Sequence, residues 1–181
     1  NWPAQIMQKR YLPQWSRHLI RRLSMWYERY FVSRVDLVIG VTEGNVLRLS
    51  KMNPRAFLVR NFVRLERFVA NRAARRTMRA CYVGGITVER GALEMARAAR
   101  MIRGGLLLAG SVQDDDLARR IRLESAGRAK LLGFLPSEEV AQLLTGSSIG
   151  LICLHPLKDY MDSSPNKLFE YMAAGLAVVA S

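Results

Sequence analysis

The residues best suited to chemistry lie near the end of the chain, in residues 163–181. Ser164 is a residue type that caps helix N-termini, and Pro165 suits the first helical position, where its missing N–H costs nothing. A loop that feeds a helix start presents N–H groups and the positive end of the helix dipole, which together hold phosphate. Glu170 lies past the first turn, where its carboxylate can reach a ligand beside that phosphate. The segment therefore predicts a site for a nucleotide diphosphate.

The same segment continues into elements that would hold this helix in place. Gly175 predicts the helix end, because glycine adopts the left-handed conformation at little cost. Residues 176–180 are apolar throughout, which is typical of a strand covered on both faces. The helix and the strand therefore indicate part of a larger α/β layer.

Strands and helices alternate from residue 79 onwards. Short apolar runs predict strands at 79–83, 106–109, 130–132, 149–154 and 176–180, with helices at 89–102, 114–125 and 137–145 and after Pro165. This alternation predicts parallel crossovers and a Rossmann-like doubly wound sheet, in which ligands bind at the carboxyl ends of the strands. The loops predicted at those ends contain Gly84-Gly85, Gly110, Gly133 and residues 155–163.

The first part of the chain has a different organisation. It predicts an amphipathic helix at 14–34, a strand at 36–41, a capped helix at 42–52, a strand at 56–59 and an arginine-rich, solvated connector at 61–77. These elements are too few to close a sheet of their own. We therefore expect residues 1–69 to be the end of a preceding α/β domain with its connector, and residues 70–181 to be an incomplete nucleotide-binding domain.

The charge of the chain limits its partners. Lys and Arg total 28 against 15 Asp and Glu, giving a net charge of +13, which favours polyanions such as phosphorylated ligands, an anionic membrane face or nucleic acid. Few aromatic residues and no basic low-complexity tail disfavour nucleic acid. No apolar run is long enough to span a membrane and no signal peptide is recognisable. We expect a cytoplasmic protein, peripherally placed at the inner membrane face if the basic helix at 14–34 lies on lipid; ordinary packing of that helix is the alternative.

Several conspicuous residues have ordinary explanations. Cys81 and Cys153 lie in apolar runs without metal-binding spacing and are predicted to be buried free thiols. Asp114-Asp115-Asp116 contains an Asp-x-Asp spacing, but acids in the first turn of a helix are expected from capping. His155 follows a predicted strand end and is either structural or in contact with a donor.

Three blocks of sequence resemble the retaining glycosyltransferases of the GT-B fold, family-4 type. Residues 82–86 with Arg90-Gly91 are similar to the first loop of the donor-binding domain. Residues 132–140 resemble the base-binding turn and its helix, and residues 163–181 resemble the nucleotide-sugar segment. The resemblance covers nearly the whole chain but only the middle of a full-length enzyme. We therefore expect poor turnover from the isolated chain.

The resemblance assigns roles to individual positions. It implies that Glu170 binds the donor ribose and that Asp162, in place of a glutamate, lies near the donor sugar. Gly85 occupies one of two basic positions of the first loop, Arg90 occupies the other, and Lys167 is a candidate to compensate. The resemblance makes Arg90, Lys167 and Glu170 the expected catalytic residues, and the expected donor-binding residues are Gly84, Gly85, Arg90, Gly133, Phe134, Leu135, Asp162, Ser163, Ser164, Asn166, Lys167 and Glu170.

The implied reaction transfers a sugar from a nucleotide-diphosphate-sugar donor to a glycan or lipid-linked acceptor with retention. The resemblance implies front-face attack, no protein nucleophile, no cofactor and no metal, with the cations and the helix start stabilising the leaving diphosphate. A sugar-nucleotide 2-epimerase of the same fold would act on donor alone. A non-catalytic basic module would instead bind DNA or anionic vesicles with steep salt dependence and would not bind UDP.

Overall fold

The structure is a computed structural model that describes residues 13–69, 76–157, 160 and 165–181. Contacts divide the chain into two compact units. Of the described residues, 13–61 and Tyr160 belong to the first unit, and 62–69, 76–157 and 165–181 belong to the second. The predicted domain limits, residues 1–69 and 70–181, stay a prediction.

The first unit contains a parallel β-α-β arrangement preceded by a long helix. Its elements are α1 (Gln14–Val32), β1 (Val38–Gly40), α2 (Glu43–Ser50) and β2 (Ala56–Leu58), and β1 pairs with β2 in parallel. Thr42 caps α2, as predicted, by accepting a hydrogen bond from the Asn45 N–H at 3.2 Å. Within the part of the chain that the structure describes, no helix is long and apolar enough to cross a membrane.

The second unit is a five-stranded parallel sheet with helices on both faces. Its elements in chain order are α3 (Glu66–Val69), β3 (Thr77–Val83), α4 (Ala92–Ala98), β4 (Leu106–Ala109), α5 (Asp115–Glu124), β5 (Ala129–Gly133), α6 (Ser137–Thr145), β6 (Ser147–Ile152), α7 (Asn166–Ala173) and β7 (Ala177–Ala180). Single 3₁₀ turns precede and follow α4, at Val88–Arg90 and Ala99–Met101. The strand order is β5-β4-β3-β6-β7 and every pairing is parallel, which confirms the predicted doubly wound fold.

Alternation along β3 distributes side chains to a core on each face of the sheet. Ala80 and Tyr82 pack with α4 and α5, whereas Cys81 packs with Phe68, α6 and α7. All four side chains are almost completely buried. This period of two is what a strand requires when helices cover both of its faces.

Four details of the sequence prediction are wrong. The expected solvated connector contains α3, whose Phe68 is buried in the second core. Helix α7 begins at Asn166, so Pro165 holds the N-cap position instead of the first helical position. Strand β7 is not covered on both faces as predicted: it is the last strand of the described sheet, and Val179 is exposed. Cys81 is buried as predicted, but Cys153 is only half-buried.

Candidate functional site

The point where the sheet reverses its winding lies between β3 and β6. The chain builds β3, β4 and β5 outwards in one direction and then returns to place β6 on the other side of β3. The loops that follow such a pair of strands diverge and leave a crevice at their carboxyl ends, the usual place for a ligand in this class of fold. In this chain those loops begin with Gly84-Gly85 after β3 and with Cys153 after β6.

The backbone after β3 adopts a path that only glycine accommodates. Gly84 has a φ of +133°, and a Cβ atom on Gly110 would lie 2.1 Å from the Gly84 carbonyl oxygen. The loops after β3 and β4 therefore touch through their backbones. Gly110 also donates a hydrogen bond to the Gly133 carbonyl at 2.7 Å, so the first three loops of the sheet are tied together.

Two cationic side chains converge on the glycine pair. A Cβ atom on Gly84 would lie 3.1 Å from the Lys167 Nζ atom, and one on Gly85 would lie 3.0 Å from an Arg90 terminal nitrogen. Arg90 donates a hydrogen bond to the Gly85 carbonyl at 3.4 Å. Because Gly84 and Gly85 have no side chains, space remains next to the Lys167 ammonium and the Arg90 guanidinium. The structure brings together four residues that the sequence predicts for one site.

The ammonium group of Lys167 is held in an environment that disfavours its charge. Burial lowers its pKa to about 8, the nearby charge of Arg90 contributes to the lowering, and Glu170 opposes it. The ammonium donates a hydrogen bond to the Tyr82 hydroxyl at 3.0 Å and lies 4.1 Å from the centre of the Tyr82 ring. Two mutually repelling cations in a partly buried crevice are suited to an anion that supplies the missing negative charge.

Glu170 lies on α7 and is half-buried near these cations. Burial raises the pKa of its carboxyl, while the charges of Arg67 and Lys167 act in the opposite direction. Glu170 is therefore a carboxylate that can accept hydrogen bonds from a polar ligand at the same crevice. Arg67, which also donates to the Ser137 carbonyl at 3.4 Å, was not predicted as a site residue because it sits among arginines assigned to a connector.

The N-terminus of α7 supplies the backbone part of the site. Asn166 and Lys167 are its first helical residues. Pro165 stands at the N-cap, and its side chain makes no capping hydrogen bond. At a helix start the first N–H groups point out of the helix, where a bound anion can accept from them. The predicted site residues Asp162, Ser163 and Ser164 lie outside the described residues.

The predicted base-binding turn follows β5, on the far side of β4 from β3. Gly133 has a φ of +71°, Phe134 is 85% exposed, and Leu135 is half-buried. These residues flank the start of α6, where Arg67 contacts Ser137. The aromatic side chain of Phe134 in this turn is therefore exposed, whereas Lys167 and Glu170 lie on α7.

His155 and Asp114 are engaged within the second unit. The Nε2 atom of His155 lies 3.4 Å from a carboxylate oxygen of Glu94, and its backbone N–H donates to the Glu89 carbonyl at 3.0 Å. Asp114 caps α5 by accepting from the Leu117 N–H at 2.8 Å, which confirms the capping prediction. Among the described residues, no three His, Cys, Asp or Glu side chains come together as a metal site.

The parallel sheet with helices on both faces places the second unit in the class of Rossmann-like α/β domains. The sequence profile of the family described as "Glycosyl transferases group 1" matches residues 77–181, which is more than half of the chain. The chain therefore belongs to the group 1 glycosyl transferases. This confirms the predicted family resemblance.

Solved structures of glycosyltransferases share the fold. The chain is similar to WaaG, a glycosyltransferase involved in lipopolysaccharide biosynthesis, with 14% identity and a TM-score of 0.66 over 98% of this chain and 53% of WaaG. For HepE of Anabaena, in complex with UDP and glucose, the identity is 17% and the TM-score 0.65 over 88% of this chain and 47% of HepE. Sucrose-phosphate synthase from Thermosynechococcus elongatus is 20% identical, with a TM-score of 0.65 over 97% of this chain and 47% of that protein.

At these identities the similarity shows a common fold. The chain spans about half the length of each of these structures. No curated protein sequence matches the chain.

Proposed function

We propose that the chain carries the donor-binding half of a retaining glycosyltransferase that uses a nucleotide-diphosphate sugar. The observation that carries the proposal is the convergence of Lys167 and Arg90 on the side-chain-free Gly84-Gly85 loop, at the crevice between β3 and β6. Family membership supports a transferase. HepE, which has this fold, was crystallised in complex with UDP-glucose, and this supports a uridine diphosphate sugar as the first donor to test.

The proposed chemistry depends on charge that develops at the diphosphate. When the bond between the sugar and the phosphate breaks, negative charge grows on the leaving diphosphate while the sugar becomes cation-like. Lys167, Arg90 and the first N–H groups of α7 are positioned to stabilise that negative charge. Glu170 would accept hydrogen bonds from the ribose hydroxyls and thereby fix the nucleotide. The acceptor attacks from the face that the diphosphate leaves, with retention, and the diphosphate helps to take the acceptor proton.

The proposal also covers the class of acceptor and the cellular setting of the reaction. The charge of +13 favours an anionic neighbour, such as a lipid-linked sugar or a precursor of envelope polysaccharide at the cytoplasmic membrane face. WaaG, named for lipopolysaccharide biosynthesis, supports this class of acceptor. We expect no metal requirement, since the protein cations and the helix start would offset the diphosphate charge.

Calorimetric titration with UDP, GDP and ADP tests the proposal on the 181-residue chain. We expect saturable binding of at least one of them and a loss of roughly 1.5–3 kcal/mol in Glu170→Gln, because that variant loses charged hydrogen bonds to the ribose. Glu124→Gln is the matched control, since Glu124 pairs with Arg97 away from the crevice. Absence of binding to all three nucleotides, together with salt-sensitive binding to DNA or vesicles, would support the non-catalytic alternative instead.

The reaction type needs a separate measurement. Incubation of the full-length protein with UDP-sugar alone would reveal epimerisation or hydrolysis without an acceptor, as the 2-epimerase alternative requires. Transfer with retention would be recognised from the anomeric configuration of the glycoside product by NMR. An inverted product would contradict the proposed mechanism even if donor binding were confirmed.

A further inference from the structure

The side chain beneath Lys167 belongs to Tyr82, at the end of the central strand β3. Tyr82 has no solvent-accessible surface, yet its hydroxyl group reaches the crevice. The hydroxyl donates to the Gly85 carbonyl at 2.9 Å and accepts from the Lys167 ammonium at 3.0 Å. Tyr82 therefore links the glycine loop to the cation that lies beside it.

The ring of Tyr82 makes a second contact with the same cation. The Lys167 Nζ atom lies 4.1 Å from the ring centre, well within the range of a cation–π interaction. A lysine side chain has several rotatable bonds, so an ammonium without such a support would occupy many positions. The hydroxyl and the ring together restrict it to one position above Gly84.

We propose that Tyr82 is a positioning residue that holds the Lys167 ammonium in place for the donor diphosphate. The inference rests on the proposed function, because it concerns the same site. Lys167 retains N–H donors beyond the one given to Tyr82, so a phosphate oxygen can accept from the held ammonium. The benefit is preorganisation: the cation need not be ordered when the donor binds. The hydroxyl also accepts from the charged form of Lys167 and so favours that form against burial.

Tyr82→Phe separates this role from ordinary packing, since it keeps the ring and removes the hydroxyl. The matched control is Tyr171→Phe. Tyr171 is also fully buried, and its hydroxyl accepts from the Val83 N–H at 3.1 Å and donates to the Leu151 carbonyl at 3.5 Å. Both substitutions remove one buried hydroxyl group that contacts β3 or the loop after it, but only Tyr82 contacts Lys167 through that group.

The readout is the dissociation constant of UDP between pH 6.5 and 9.5. Among the residues that the structure describes, the charged groups that act on Lys167 are Arg90 on the loop after β3 and Glu170 on its own helix. The UDP phosphate has already ionised over most of this range. We expect Tyr82→Phe to weaken UDP binding about threefold to tenfold at pH 7. We also expect its affinity to decline at a lower pH than in the wild type, because the ammonium has lost an acceptor. Tyr171→Phe should change neither quantity.

A double-mutant cycle completes the test. If Tyr82 acts through Lys167, Tyr82→Phe should have no further effect on UDP binding in a Lys167→Met chain. The proposal is overturned if Tyr82→Phe binds UDP with wild-type affinity and pH dependence, or if its effect persists in the Lys167→Met background.

If Tyr82→Phe does not fold, NMR on the wild type decides instead. A nuclear Overhauser contact between the Lys167 ε-methylene and the Tyr82 ring must persist when UDP is added, and its loss would overturn the proposal.

Failure of the proposed function gives a different result. In that case the wild type binds none of UDP, GDP and ADP. The contact itself is then still tested by titrating the Lys167 ε-carbon NMR signal without ligand, which must show a lower pKa in Tyr82→Phe than in the wild type. Equal pKa values in the two chains would refute the holding role of Tyr82 independently of any nucleotide.

Discussion

Gly91 and Cys153 are in direct backbone contact: a Cβ atom on Gly91 would lie 2.1 Å from the Cys153 carbonyl oxygen. Gly91 has a φ of +71° and stands immediately before α4, and Cys153 stands immediately after β6. This contact joins the loop that carries Arg90 to the strand that forms the other wall of the crevice. The position of Arg90 therefore depends on a glycine at the next residue.

We expect Gly91→Ala to destabilise the second unit by about 2–4 kcal/mol, because a methyl group would collide with backbone that cannot rotate away. Gly127→Ala is the matched control: Gly127 has a φ of +74°, but nothing lies within 4 Å of its Cβ position. Its cost should be the conformational one alone, about 1 kcal/mol. Urea unfolding of both variants measures the difference. Equal losses in the two would show that the close contact adds nothing.

Lys167 should favour binding at the expense of stability. Its pKa is lowered to about 8, so the unfolded chain binds more protons than the folded chain between pH 8 and the usual lysine pKa near 10.5. Stability from this group must therefore rise as the pH increases through that interval. Below pH 8 the full cost of the buried charge is present. We expect Lys167→Met to stabilise the ligand-free chain at pH 7 by about 1–3 kcal/mol, while it weakens UDP binding.

Chemical denaturation at pH 7 and pH 10 measures this effect. The advantage of Lys167→Met over the wild type should shrink at the higher pH, because the wild-type lysine is then largely neutral when folded. Lys130→Met is a suitable control, since Lys130 is an exposed residue of β5. An advantage that is the same at both pH values would contradict a charge effect and would indicate packing.

Arg67 should tune the carboxylate of Glu170. Burial raises the pKa of Glu170 and the charge of Arg67 opposes that rise, so Arg67→Gln should raise the pKa further. The carboxylate would then lose its charge at a higher pH during acidification, and UDP affinity should begin to fall at that higher pH. Titrations from pH 7 to pH 5 measure this relative to the wild type, which cancels the protonation of UDP itself. Arg64→Gln is the control, since Arg64 is an exposed arginine near Glu66, and it should not move the profile.

The sheet could be predicted from sequence because its signals are local. The strand Leu106–Ala109 and the helix Ser137–Thr145 have the predicted limits, since glycines bound the first and acidic residues mark the start of the second. The end of α7 was also predictable. Gly175 has a φ of +73°, and Leu176 donates to the Tyr171 carbonyl at 2.9 Å, the bond of a Schellman turn.

The contacts within the crevice could not be predicted in the same way. Tyr82 and Lys167 are 85 positions apart in the sequence, and a tyrosine in an apolar run indicates only a packed strand. Phe68 is buried by residues of α6 and α7, far along the chain, whereas the arginine-rich segment around it indicates solvent. Such features depend on which strands become neighbours. The family resemblance implied that Arg90, Lys167 and Glu170 belong to one site, but the contacts of Tyr82 and Arg67 with that site emerged only from the fold.

Asp114 should contribute to stability and not to metal binding. Its side chain caps α5 through the 2.8 Å hydrogen bond from the Leu117 N–H, so Asp114→Ala should lower the free energy of unfolding by about 1 kcal/mol. Asp116 instead forms an exposed ion pair with Arg119 at 2.9 Å. Asp116→Ala should therefore cost well under about 1 kcal/mol. Thermal unfolding with and without Mn²⁺ separates capping from coordination. A melting temperature that rises with Mn²⁺ in the wild type, but not in either variant, would show that these carboxylates bind the ion.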